Sequence, residues 1–361
     1  MKKIEKKGVA IIVPARNEEM VLSDTLNSLL KLVSPSDLYV VDDGSTDDTA
    51  EIAKAFTKKV FRIENQGKAT ALNKCLRHYR LTKRYDYILF MDADTRPQED
   101  FLKIAMKHFE KDSKKQIVCV VGRIKSYGTS FISKYRQWEY QISHYVHKQA
   151  QWYMSSILVV PGCATVYRSK VFDKLEFPNG TLTEDMDFTF LMHRKKIGKM
   201  VFEKNAIVRT QDPEKISHFV KQISRWYTGF WQVVRKHGIP WEGQMLDLEA
   251  AILALEGLYN GIFVILLFFS IIPLTLEGNI HILLIPLFID LFVFFLPTLI
   301  WNSVSDKDYK RILLIPHFYL LRFLSSIIFL KSFFDGYILN ERQYSWQSKR
   351  YILSKNGGVL E

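Results

Sequence analysis

Two carboxylates one residue apart, Asp92 and Asp94, follow the apolar run Ile88-Leu89-Phe90-Met91 and precede Thr95, Arg96 and Pro97. Successive side chains of a strand point to opposite faces, so an Asp-x-Asp pair shares one target only where the strand has given way to a turn. The target that suits it is a hard divalent cation, magnesium or manganese, which neutralises a diphosphate in turn. The bland alternative is a solvated turn. A second acidic stretch, Asp42-Asp43-Gly44-Ser45-Thr46-Asp47-Asp48, offers carboxylates to a nucleobase or ribose. A third, Thr183-Glu184-Asp185, opens a helical stretch, where the positive helix N-terminus holds a carboxylate ionised and fit to act as a base; read as structure, it is a capped helix start. Lys68, in Asn65-Gln66-Gly67-Lys68, is placed to meet a diphosphate, or is simply solvated. Gln222, Arg225 and Trp226 fall at helical spacing and present an amide, a guanidinium and an indole on one face. Such a face can clamp a pyrophosphate and stack a sugar ring, or it can belong to an amphipathic helix lying on a membrane.

The elements that must position these residues alternate. Residues 8 to 14 read as a strand buried on both faces, and an amphipathic stretch through Leu32 follows it, with Leu22, Leu26, Leu29 and Leu30 on one helical face. Residues 38–41 and 60–63 read as further strands, 68–80 as a helix and 87–91 as the strand that delivers Asp92. This βαβ rhythm predicts a mostly parallel, Rossmann-like α/β sheet that binds ligands at the carboxyl ends of its strands. No Gly-x-x-x-x-Gly-Lys or Gly-x-Gly-x-x-Gly sequence points to an ATPase or a dinucleotide enzyme.

The chain has 361 residues and a net charge of +12, yet its basic residues are scattered, which speaks against nucleic acid and for an anionic membrane face. Its cysteines, Cys75, Cys119 and Cys163, are far apart and lack metal-ligand spacing, so reduced thiols are expected, with neither zinc nor disulfides. The charged start, Met1-Lys2-Lys3-Ile4-Glu5-Lys6-Lys7, does not read as a signal peptide, so the first part of the chain is expected in the cytoplasm.

Pro14-Ala15-Arg16-Asn17-Glu18, Val41-Asp42-Asp43-Gly44-Ser45-Thr46-Asp47, Gly67-Lys68-Ala69-Thr70-Ala71-Leu72-Asn73 and Asp92-Ala93-Asp94, in this order and spacing, resemble the GT-A glycosyltransferases of family 2. Val159 to Arg168, with Gly162 at its centre, looks like that family's small-residue acceptor floor; the alternative is a core strand with a glycine bulge. Thr183-Glu184-Asp185 and Gln222-Ile223-Ser224-Arg225-Trp226 resemble motifs of its membrane-bound polysaccharide synthases, which make cellulose, hyaluronan and poly-N-acetylglucosamine.

The resemblance implies an inverting transfer from a UDP-sugar, with Asp185 as general base beside Glu184. Asp94, helped by Asp92, would hold Mg2+ or Mn2+. Donor and acceptor contacts fall to Pro14, Glu18, Asp42, Asp43, Lys68, Asp92, Gly162, Gln222, Arg225 and Trp226. Tyr344 to Arg350 looks like the loop that closes over the nucleotide in some of these synthases, adding Trp346 and Arg350 to the set.

Residues 250–273 and 280–301 are almost wholly apolar over about 20 residues, enough to span a bilayer. Glu256 and Asp290 interrupt them and are expected to face protein or a polar path. The third apolar stretch, 312–334, contains Pro316, His317 and Arg322, and must be interfacial or re-entrant if the closing loop is cytoplasmic. The aromatic stretch 129–154 reads as an interfacial helix, with a core helix as the alternative.

The expected domains are a cytoplasmic GT-A domain over 1–212, an interfacial helix over 213–245, membrane helices over 246–334 and a cytoplasmic tail over 335–361. The expected protein is an integral enzyme of the cell membrane that extends a β-linked polysaccharide, using a nucleotide-sugar donor, a glycan or lipid acceptor and membrane lipids, alone or with a membrane partner subunit or a second copy. The alternatives are a glycolipid synthase adding one sugar to a lipid, for which few anchoring helices suffice, and a sugar-binding pseudoenzyme.

Overall fold

The computed structural model describes residues 7–240, 243–341, 352–353 and 359–360. Trp346 and Arg350, together with the closing loop that carries them, lie outside these residues.

The run of branched apolar residues after Gly8 forms β1 (Lys7–Ala15), in which Ala10 to Val13 are fully buried because helices cover both faces. The chain then alternates through α1 (Leu22–Leu29), β2 (Leu38–Asp43), α2 (Thr49–Phe56), β3 (Val60–Ile63), α3 (Lys68–His78), the single turn α4 (Leu81–Arg84) and β4 (Tyr85–Phe90). It continues with β5 (Thr95–Pro97), α5 (Phe101–Lys111), β6 (Ile117–Ser126), α6 (Phe131–Ile142), α7 (Gln149–Tyr153), β7 (Thr165–Arg168), α8 (Glu184–Arg194) and β8 (Lys199–Thr210). Helices α9 (Ile216–Lys236), α10 (Met245–Leu276), α11 (His281–Ile289), α12 (Leu296–Asp306) and α13 (Ile315–Phe333) follow.

These elements form two compact units. Among the described residues, the first comprises 7–127, 147–211, 352–353 and 359–360, and the second comprises 128–146, 212–240 and 243–341. In the first, β1 to β8 make one sheet in the order β3-β2-β1-β4-β7-β6-β8-β5. Strands β1 to β4 are parallel to one another, as are β6 and β8, whereas β7 runs antiparallel to β4 and β6, and β5 antiparallel to β8. The strand order reverses between β1 and β4, the kind of point at which a crevice opens beyond the carboxyl ends of a sheet. Both acidic loops leave from those ends. One face of the sheet is packed by α1, α2 and α5 through Leu22, Leu26, Ala53 and Phe101, the other by α3 and α8 through Leu72, Leu76, Phe188 and Met192. The three cysteines are buried and free.

The second unit inverts the usual polarity. Three helical stretches, Met245–Leu276, His281–Asp306 and Tyr309–Ile338, are long and apolar enough to cross a membrane. Their outer faces are oily: Phe269 is 79% exposed and Leu276 83%, as suits contact with lipid. Helices α10 and α13 meet closely where Gly261 has no side chain; a Cβ there would lie 2.9 Å from the Ser326 carbonyl oxygen. Of the two carboxylates within residues 250–273 and 280–301, Glu256 is exposed, which departs from the expectation that it faces protein or a polar path. Asp290 faces protein, accepting hydrogen bonds from Arg322 at 2.7 and 2.9 Å and from Tyr319 at 2.6 Å. The aromatic residues of α6 are drier than a headgroup layer would make them, since Tyr135 and Trp138 are buried among Phe219, Phe295 and Phe318.

Candidate active site

Each acidic loop is built before it can bind anything. Gly44 turns the chain after β2 with φ of +74°, and a Cβ there would lie 2.8 Å from the Asn65 nitrogen, so glycine is required. Asp42 is fully buried and accepts the Ser45 amide at 2.9 Å, closing its own turn. Asp43 accepts the amides of Gln66 and Gly67 at 2.8 and 2.9 Å and so ties this loop to the start of α3. From the end of β1, the Asn17 side chain accepts the Thr46 amide and the Glu18 amide donates to Thr49. Pro14 pairs in register with Val41. Asp43 thus ties the loop after β2 to the start of α3, and Asn17 with the Glu18 amide ties it to the end of β1.

Lys68 stands at the first turn of α3, and its Nζ lies 2.6 Å from Asp92 Oδ1 and 3.3 Å from Glu184 Oε1. Burial disfavours its charge, but Asp92, Glu184 and Asp185 outweigh that and hold the ammonium well above the ordinary lysine range. Across the loop, the Gly162 amide donates to Asp185 Oδ2 at 3.3 Å, and a Cβ on Gly162 would come 3.1 Å from Lys68 Nζ. Asp94 is 7% exposed and takes the hydroxyls of Thr95 and Thr210 at 3.1 and 3.5 Å.

The helix bearing Glu184 and Asp185 is fixed from behind. Phe188 stacks on Phe172 and packs at 4.5 Å against Phe177, while the Asn73 amide group of α3 exchanges two 2.9 Å hydrogen bonds with the Phe177 backbone. Thr183 stands at the N-cap position, but its hydroxyl makes no cap bond, so the helix start is not capped as its sequence suggests. The first turn carries Glu184, Asp185 and Asp187 instead, which complement the positive end of the helix. Arg168, at the end of the expected acceptor floor, bonds to the Ile117 carbonyl, Tyr87 and Asp112, which makes it a brace of the sheet.

One residue that sequence reasoning passed over belongs to this cluster. Lys148 is 7% exposed, donates to the Val159 carbonyl at 2.8 Å, and feels Asp185. Burial draws its ammonium down to about 8. In sequence it sits among aromatic residues that suggest an interface, where a lysine reaches for water, so nothing marks it as buried.

The first unit thus brings together Asp92, Glu184, Asp185, Gly162 and Lys68. Among the described residues, no three His, Cys, Asp or Glu side chains gather as a ready metal cage. The donor set still fits a hard divalent ion, because magnesium takes one or two carboxylates and completes its shell with substrate phosphates and water. That an ammonium already sits on Asp92 marks the place as one where positive charge is favoured. Gln222, Arg225 and Trp226 lie in the second unit, on α9. There Gln222 Oε1 is shielded from solvent and has no hydrogen-bond partner among the described residues, and Trp226 lies under the guanidinium of Arg136 at 4.6 Å.

Residues 10–176 match the family model for glycosyl transferase family 2. The poly-beta-1,6-N-acetyl-D-glucosamine synthase of Staphylococcus epidermidis is 28% identical over 244 residues, 63% of this chain and 58% of that protein. The synthase of the same name from Staphylococcus aureus (strain COL) is 27% identical over 237 residues, 64% of this chain and 56% of that one. The matched region thus spans a little over half the length of these relatives. The mannosyltransferase PcManGT from Pyrobaculum calidifontis, solved with GDP-Man and Mn2+, shares the fold, with a TM-score of 0.56 and 16% identity over 93% of this chain and 87% of that one.

Proposed function

We propose, from the match of residues 10–176 to the family model for glycosyl transferase family 2, that the protein is a membrane glycosyltransferase that carries a sugar from a UDP-sugar to a growing β-linked polysaccharide with inversion at the anomeric carbon. The observation that carries this reading is Lys68, a cation for a diphosphate, held within one cluster with Asp92, Glu184 and Asp185.

Asp185 is the base: it lies in the first turn of α8, is oriented by the Gly162 amide, and takes the proton of the acceptor hydroxyl as that oxygen attacks. Glu184 supports it and offsets the charge of Lys68. Lys68 and Arg225 stabilise the negative charge that develops on the departing nucleotide. Asp43 and Asp42, with Pro14 and Glu18, form the nucleoside end. Gly162 keeps the acceptor floor low enough for a sugar, and Gln222 and Trp226 hold that sugar. Asp94 and Asp92 would hold Mg2+ or Mn2+, which when bound supplies further neutralisation of the diphosphate. The three apolar helices anchor the enzyme in the cell membrane with residues 1–212 on the cytoplasmic side.

The test is one incubation of the detergent-purified full chain with Mn2+ and a panel of labelled UDP-sugars. A high-mass product digested by a specific glycan hydrolase is the expected result and names the sugar. Label confined to one organic-soluble band that requires added lipid would replace the polymer with a glycolipid. Transfer from none of the donors would overturn the reading.

A further inference from the structure

On α6, Arg136, Glu139 and Tyr140 stand at i, i+3 and i+4 and therefore share a face. Arg136 is 4% exposed, a costly place for a guanidinium unless it is fully engaged. Its Nη1 lies 2.5 Å from Glu139, its Nη2 donates to the Tyr140 hydroxyl at 3.1 Å, and its Nε lies 3.5 Å from Asp212, which is itself 1% exposed. The Tyr140 hydroxyl in turn donates to Asp212 at 2.9 Å. So held, the guanidinium lies against two rings, with its carbon 4.7 Å from the Tyr140 centroid and 4.6 Å from the Trp226 centroid. Two carboxylates and a phenol are spent on fixing one arginine, and the arginine is spent on the indole. One turn before that indole, Gln222 Oε1 is shielded from solvent without a hydrogen-bond donor among the described residues, an arrangement that a sugar hydroxyl would complete.

We propose that Arg136 is a positioning residue that holds Trp226 as a rigid plate for the acceptor sugar, with Glu139, Tyr140 and Asp212 fixing the arginine. The proposal rests on the reading of Trp226 as an acceptor contact. Arginine is required because only a planar, multiply bonded cation both fills this clamp and stacks; lysine supplies the charge as a point and loses the plane.

The test is a double-mutant cycle on the full chain in detergent, following sugar incorporation from the UDP-sugar that supports transfer. Arg136→Lys and Trp226→Phe are each expected to lower the transfer rate roughly tenfold, the scale of one desolvated cation–π contact, with the KM for the UDP-sugar unchanged. The combined variant is expected to be no slower than the slower single variant, because both changes break the same contact. A multiplicative loss in the combined variant, with Trp226→Phe impaired, overturns the role of Arg136 and leaves the acceptor reading standing. A Trp226→Phe protein at the native rate, or no transfer from any UDP-sugar, removes both. Should Arg136→Lys fail to elute as a single species, Arg136→Gln with Glu139→Gln removes the cation without stranding Glu139; it is expected to reproduce the loss, and a native rate from it overturns the proposal.

Discussion

The two units treat charge in opposite ways. Around Lys68 in the first, three carboxylates, Asp92, Glu184 and Asp185, bear on one ammonium, and the surplus is negative. In the second, the charges of Asp290 and Arg311 are matched by neighbours, while Glu256 is left exposed. Asp290 is met by both nitrogens of the Arg322 fork and by Tyr319, and Arg311 is met by Asp306, Asp308 and Asn302. A buried charge that serves only the fold must be neutralised within the fold, since lipid offers nothing to complete it. A site that binds a cation and a diphosphate must leave its own charge unbalanced until they arrive. In the proposed reading, the difference separates carboxylates that act on a ligand from carboxylates that hold helices together, although the residue types are the same.

The largest expected effect tests the unbalanced side. Asp185→Asn keeps the shape of the side chain and removes the base, so transfer should fall by about 10³-fold, in line with the loss of general-base catalysis. UDP should still bind, measured by calorimetry on the purified protein, because Asp43, Lys68 and the Gly44 turn are untouched. Loss of both together would mean that Asp185 belongs to the loop frame like Asp42, and the contrast between the units would weaken.

On the matched side, Arg322→Leu strands Asp290 in an apolar surround and should cost on the order of 3 kcal/mol, seen as a lower melting midpoint in detergent. Asp290→Leu combined with Arg322→Leu should recover most of it, since an apolar pair suits this environment. Single and double variants that melt alike would show that the pair neutralises nothing, and the second unit would lose its half of the comparison.

How much of this was legible in the sequence follows from how local each signal is. Strands β1, β2 and β4 were, because a strand covered on both faces must be a continuous apolar run and the acids at its end are adjacent in sequence. The long strands β6 and β8 were not read, since Ile117–Ser126 and Lys199–Thr210 mix polar with apolar residues and find each other only in the sheet; β7 was weighed as a core strand, but not that it returns antiparallel. The partner of Asp290 lies 32 residues away on another helix, so its sequence announced a costly charge but not how that cost is met. The grouping of 128–146 with the apolar helices was hinted at by its aromatic residues. Its packing against Phe295 and Phe318 was not, because aromatic residues suit a wet interface and a dry core alike.

Lys148 is the exception that sharpens the contrast, a buried cation in the first unit with a carbonyl as its hydrogen-bond partner. It faces Asp185, Cys163 and Cys119, and burial brings its ammonium from 10.5 in the free residue to about 8. Between those values the unfolded chain holds the proton that the folded chain has shed, so stability should rise with pH from about 8 to 10.5. Below about 8 both states are protonated, and the cost of the buried charge is then complete and constant. Lys148→Met removes that cost together with its pH dependence. The melting midpoint of the native protein minus that of the variant should therefore be lowest near neutral pH and climb through the alkaline range. A flat difference would place the ammonium in contact with water.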